Sequence, residues 1–130
     1  MNCLFVLHFL LLLRLPVLQA KSTAGSVQGV FGTWKEKLML QCTSGYGLHI
    51  IDSSFGNPLL AGNTIFKSNR DAPHTKLVIQ QQCENRNTCQ VLVDPATFGI
   101  LKSFGTTEPT LAVTFACLPS GPKGVLRQGK

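Results

Sequence analysis

The chain has 130 residues, 44% of them hydrophobic and 14% charged, and carries a net charge of +6. That length allows one domain rather than two. The basic residues are scattered with no aromatic–basic stripe, which excludes an obvious nucleic-acid surface.

Residues 1–20 read as a secretory signal peptide, with a cut after Ala20 or, alternatively, after Ala24. Residues 4–13 form an apolar run too short for a bilayer, so an uncleaved anchor is the weaker reading. The start lacks Lys and Arg, and Arg14 interrupts the run. No second apolar stretch of membrane length follows. The expected product is secreted and extracellular, with no membrane span in the mature chain. Removing residues 1–20 takes Lys plus Arg from 12 to 11 against 6 acids, so the net charge falls from +6 to +5.

Four cysteines remain: Cys42, Cys83, Cys89 and Cys117. An even number in a small secreted domain reads as two disulfides, and four cysteines allow three pairings. A short Cys83–Cys89 ring with a long Cys42–Cys117 clasp is the most economical. Closing the large loop contributes about 4 kcal/mol in the chain-entropy picture. Zinc is disfavoured because no C-x-x-C pair exists and the compartment is oxidising. No acidic cluster has calcium-site spacing, and no cofactor is expected.

In chain order, residues 21–29 are small and polar, the composition of a frayed start. Leu38, Leu40 and Cys42 alternate as one strand face. Residues 43–47 form a turn, and residues 48–52 a second strand, which together predict a hairpin. Residues 53–76 hold Gly56, Pro58, Gly62, Asn63, Asn69 and Pro73 and predict a long loop. Residues 74–82 predict a short helix leading into the cysteine ring, whose tight turn Asn85 and Asn87 can supply. Residues 90–93 form a strand ended by Asp94-Pro95, read as a turn. Residues 96–109 form a second long loop. Residues 110–117 are the cleanest strand, with Leu111, Val113, Phe115 and Cys117 on one face. Residues 119–130 read as a flexible tail, basic through Lys123, Arg127 and Lys130. The sum is a mainly β, antiparallel domain with one short helix and long loops, helped at its small size by two disulfides.

These residues resemble a known family. Leu38-Met39-Leu40-Gln41-Cys42, Gly47-Leu48-His49-Ile50, the C-x5-C of Cys83 and Cys89, Phe98-Gly99 and the closing run Leu111-x-Val113-x-Phe115-x-Cys117 follow the order of the sea-urchin egg lectin (SUEL) type, the rhamnose- and galactose-binding lectin domain. The resemblance covers roughly residues 30–117, and the domain boundary is set at 30–118. It implies a small antiparallel β-sandwich with one short helix and long ordered loops. It also implies the pairing Cys42–Cys117 and Cys83–Cys89. Family members usually have eight cysteines. The other four would fall near Thr33, near Leu60, within residues 65–71 and near Lys102, and all are absent here, as complete pairs.

The sugar-binding positions depart further. Trp34 stands where the family has Glu, with Glu36 close but out of register. The family's Tyr-Gly-Arg reads Phe55-Gly56-Asn57, its Asp-Pro-Cys reads Ile100-Leu101-Lys102, and its Lys before the last strand is Pro109. Sugar recognition needs planar polar groups for adjacent hydroxyls and an apolar face for the ring. The replacements offered by this chain are Asn57, Lys102 and Glu108 for the first, and Trp34 or Phe55 for the second. As plain structural residues, Trp34 reads as a core or edge anchor and Phe55 as a buried aromatic.

Two functions follow as expectations: a carbohydrate-binding module with a degenerate site, or a protein-recognition module on the same scaffold. Partners are then glycans or glycoproteins, or a cell-surface protein. An enzyme is not expected. Only His49 and His74 remain after cleavage, and no paired carboxylates or triad appear.

Overall fold

The computed structural model describes residues 25–99 and 108–120. The expected signal peptide, most of the basic tail and Lys102 lie outside them. Within the described residues, seven strands and two helices follow in order: β1 (Val27–Gly32), β2 (Lys37–Gln41), β3 (Tyr46–Gly56), β4 (Leu59–Ala61), β5 (Thr64–Phe66), α1 (Thr75–Cys83), β6 (Thr88–Leu92), α2 (Pro95–Phe98) and β7 (Thr110–Pro119). All pairing is antiparallel. One sheet runs β1–β7–β3, a second is β2–β6, and β4–β5 is a hairpin of its own.

Alternation along the strands builds one core between the first two sheets. Leu38 and Leu40 of β2 and Val91 of β6 meet Leu48, Ile50 and Phe55 of β3 and Leu111, Val113 and Phe115 of β7. Helix α1 closes the side through Ile79 and Cys83, which with Thr75 recur every four residues on its buried face. Leu77 would share a face with Ile79 in a strand; in the helix it is exposed.

β7 is central in its sheet, and its second face is buried too, through Ala112, Thr114 and Ala116. The β4–β5 hairpin covers that face. Gly29 pairs with Thr114, and a Cβ on Gly29 would meet the Gly62 carbonyl oxygen at 2.6 Å and Leu60 at 3.1 Å. Small residues on β7 and a glycine on β1 are what let the hairpin lie close.

The two disulfides are Cys42–Cys117 and Cys83–Cys89, with Cα separations of 5.7 and 5.3 Å. The first joins the end of β2 to β7 and so clasps one sheet to the other. The second closes a ring after α1, in which Asn85 takes a left-handed φ of 66°. The ring is laced to residues 42–50. Asn85 N–H donates to Leu48 O at 2.8 Å, Leu48 N–H to Arg86 O at 2.8 Å, and Cys42 N–H to Asn87 O at 2.9 Å.

Several expectations are corrected. β2 and β3 do not form a hairpin. Their apolar faces meet across the core from different sheets, and alternation alone looks the same in both arrangements. Residues 53–56 continue β3, and the Gly62-Asn63 pair turns the β4–β5 hairpin with Gly62 at φ 59°, so residues 53–76 are not one loop. Residues 27–29 belong to β1 rather than to a frayed start. A second helix, α2, begins at Asp94-Pro95. Asp94 accepts the Ala96 N–H at 2.8 Å and Pro95 needs no donor partner, so this pair starts a helix rather than a turn.

Candidate functional site

Strand register decides which loops meet. Leu111 lies opposite Gly32 of β1 on one side and Phe55 of β3 on the other, and Thr110 lies opposite Gly56. The chain leaving β1, the chain leaving β3 and the chain approaching β7 therefore share one end of the sheet. Trp34 sits in the first, Asn57 in the second and Glu108 in the third. The structure brings these three expected site residues to the same end.

The turn at 33–36 is tightly held. Glu36 N–H donates to Thr33 O at 3.0 Å, and the Glu36 carboxylate accepts the Thr33 N–H at 3.2 Å. Lys35 N–H donates to Val93 O at 2.7 Å and Val93 N–H to Glu36 O at 2.9 Å, which pins the turn to the end of β6. Lys35 adopts a left-handed φ of 69°, uncommon outside glycine and asparagine. Its ammonium lies 4.6 Å from the centroid of the half-buried Trp34 ring, a cation–π contact. The Trp34 indole Nε1 is buried without a hydrogen-bond partner, so this ring keeps an unmet donor at the site.

Asn57 is exposed, and its backbone is fixed by a residue that sequence reasoning passed over. Asp71 accepts the Asn57 N–H at 2.8 Å, the Ser54 hydroxyl at 2.5 Å and the Ser68 N–H at 3.0 Å. Gly56 lies against it: a Cβ there would come within 2.5 Å of Asp71 Oδ1. The only sequence signal was an acid following Ser68-Asn69-Arg70, which resembles any polar loop. Next to it, Ala72 N–H donates to Phe55 O at 2.8 Å and Phe55 N–H to Thr75 Oγ1 at 3.3 Å. This segment covers the outer edge of β3.

Phe55 is corrected as a site residue. It is 0% exposed and stacks on Phe98 with ring centroids 4.5 Å apart. It supports the site from below, tying β3 to α2, and its ring cannot reach a ligand. Glu108 is exposed beside the buried Pro109. His49 pairs with Glu84, Nδ1 to Oε2 at 2.8 Å, while Glu84 also accepts the Ile50 N–H at 2.9 Å. His74 precedes α1. Among the described residues, no group of three or more His, Cys, Asp or Glu is placed to hold a metal ion, and no helix is long and apolar enough to cross a membrane.

The end of the sheet thus offers an amide at Asn57, a carboxylate at Glu108 and a half-buried indole at Trp34 with a cation over it. Such a set can hydrogen-bond a polyhydroxylated ligand and pack against its apolar face.

No protein-family model matches the chain. The chain is similar to Beta-galactosidase 11 of Oryza sativa subsp. japonica, with 33% identity over 107 residues. The match takes in 81% of this chain and 12% of the rice protein. The chain therefore spans about an eighth of the length of the curated relative it matches.

Proposed function

We propose that this chain is a secreted, non-catalytic carbohydrate-binding module of the rhamnose- and galactose-binding lectin type, with a reduced site at the Trp34–Asn57–Glu108 end of the sheet. The observation that carries this reading is the likeness to a plant protein named for its action on β-galactosides. Because the chain spans so little of that relative, it is read as a recognition module and not as the hydrolase. The antiparallel β architecture and the disulfide pairing agree with what the SUEL-type resemblance implies. Asn57 and Glu108 supply hydrogen bonds to ring hydroxyls, and Trp34 supplies the packing face. The mature chain acts outside the cell on glycans or glycoproteins.

One observation favours a second reading, a protein-recognition module on the same scaffold. Leu59 and Phe66 lie directly opposite each other on β4–β5 and are 64% and 56% exposed. An exposed apolar pair on the outer side of this hairpin suits a protein surface better than a sugar. A glycan array probed with the cleaved chain, followed by competition with free rhamnose and galactose, separates the two. Binding displaced by either sugar supports the lectin reading. Absence of any glycan binding removes it in favour of the second.

A further inference from the structure

Helix α1 is nine residues long and starts with neither a side-chain cap nor an acid in its first turn. Its leading N–H groups and the positive end of its dipole are left without the usual partners. This end opens onto a cleft of about 230 Å³ lined by Ser53, Ser54, Lys67, Ser68, Asp71 and Lys76, along the outer edge of β3.

A second, independent feature lies in the same cleft. Ser53 is 2% exposed and its hydroxyl has no hydrogen-bond partner. A buried, unpaired hydroxyl costs free energy unless something occupies it. Its neighbours are already engaged. The Ser54 hydroxyl donates to Asp71, whose two oxygens accept three protein donors in all. Lys67 is 2.8 Å from Asp52. Lys76, in the first turn of α1, makes no ion pair among the described residues. The unmet groups of the cleft are therefore donors: helix amides, the Ser53 hydroxyl and the Lys76 ammonium.

The geometry points to a site for a small tetrahedral oxyanion, a sulfate or phosphate group, at the start of α1. Helix amides, a hydroxyl and an ammonium are the groups that bind such anions in proteins. The group is either a free ion or an ester carried on a sugar.

The test follows backbone amide shifts of the 15N-labelled chain during titration with inorganic sulfate, inorganic phosphate and galactose 6-sulfate, at ionic strength held constant with sodium chloride. The expected result is a saturable shift of the Thr75, Lys76 and Leu77 amides. Lys76→Gln, at an exposed position, should weaken binding about tenfold without disturbing the fold. Ser53→Ala should weaken it as well. Tighter binding of the sulfated sugar than of sulfate supports an ester ligand, and equal binding supports the free ion. Shifts that stay linear with concentration and match those caused by chloride overturn the site, as do two variants that bind like the parent. The readout lies at α1, so its failure leaves the proposal for the Trp34–Asn57–Glu108 end standing.

Discussion

Asn87 and Cys42 hold each other twice. The Cys42 N–H donates to Asn87 O at 2.9 Å, and the Asn87 side-chain amide donates back to Cys42 O at 3.2 Å. The same Nδ2 also reaches Thr43 O at 2.9 Å and Tyr46 O at 3.0 Å. One amide inside the small cystine ring thus organises the turn through which the chain crosses from one sheet to the other. Asn87→Ala should destabilise the domain by about 2 kcal/mol, since three carbonyls lose a donor. Asn87→Asp should do no better, because a carboxylate accepts and cannot donate. Urea denaturation of the two variants beside the parent checks both.

The two disulfides should differ in weight. Cys42–Cys117 closes a separation of 75 residues, and Cys83–Cys89 one of 6. Chain entropy assigns them about 4 and about 2 kcal/mol. Replacing both cysteines of each pair by Ser, and comparing denaturation midpoints, should show the larger loss for the long clasp. Equal losses would mean that the ring matters mainly by holding Asn87 in place.

Gly29 carries a steric prediction. Any Cβ there would strike the Gly62 carbonyl oxygen at 2.6 Å. Gly29→Ala should lower stability by about 1–3 kcal/mol, as overpacking does. If the melting temperature of this variant matches that of the parent, the β4–β5 hairpin does not press against β1.

Phe55 and Asn57 should separate packing from recognition. Phe55→Ala removes a fully buried ring stacked on Phe98 and should cost about 3–5 kcal/mol of stability. Asn57→Ala alters an exposed side chain while its backbone bond to Asp71 persists, so stability should change by less than about 0.5 kcal/mol. The expected loss for Asn57→Ala is in glycan affinity, roughly tenfold for a direct hydrogen-bonded contact. Thermal melts and array titrations of both variants measure the split.

Much of this architecture was legible along the chain, and the rest was hidden for identifiable reasons. β7 announced itself because Leu111, Val113, Phe115 and Cys117 alternate without a break. The helix before the ring was legible from Gln80-Gln81-Gln82, although Leu77 and Ile79 alternate like a strand. β1 was obscured by Gly29 and Gly32. Both glycines weaken a strand pattern, yet Gly29 makes room for the hairpin and a Cβ on Gly32 would meet Val93 at 2.8 Å. The partner of β2 could not be read, because a face that is buried says nothing about which strand lies alongside. At the candidate site, the strand register puts the segments carrying Trp34, Asn57 and Glu108 at one end of the sheet. The roles of Asp71 and Phe98 depend on contacts between distant segments, which no local pattern encodes.

The central claim is that Trp34, Asn57 and Glu108 form a sugar-binding end. The most direct measurement is a 15N NMR titration of the cleaved chain with free galactose and rhamnose, following the Trp34 indole and the Asn57 and Glu108 amides. The account predicts saturable shifts at these three positions for at least one sugar, with those at Asn57 and Glu108 abolished by Trp34→Ala. Both sugars leaving these resonances unmoved, or moving only resonances far from this end of the sheet, would contradict it.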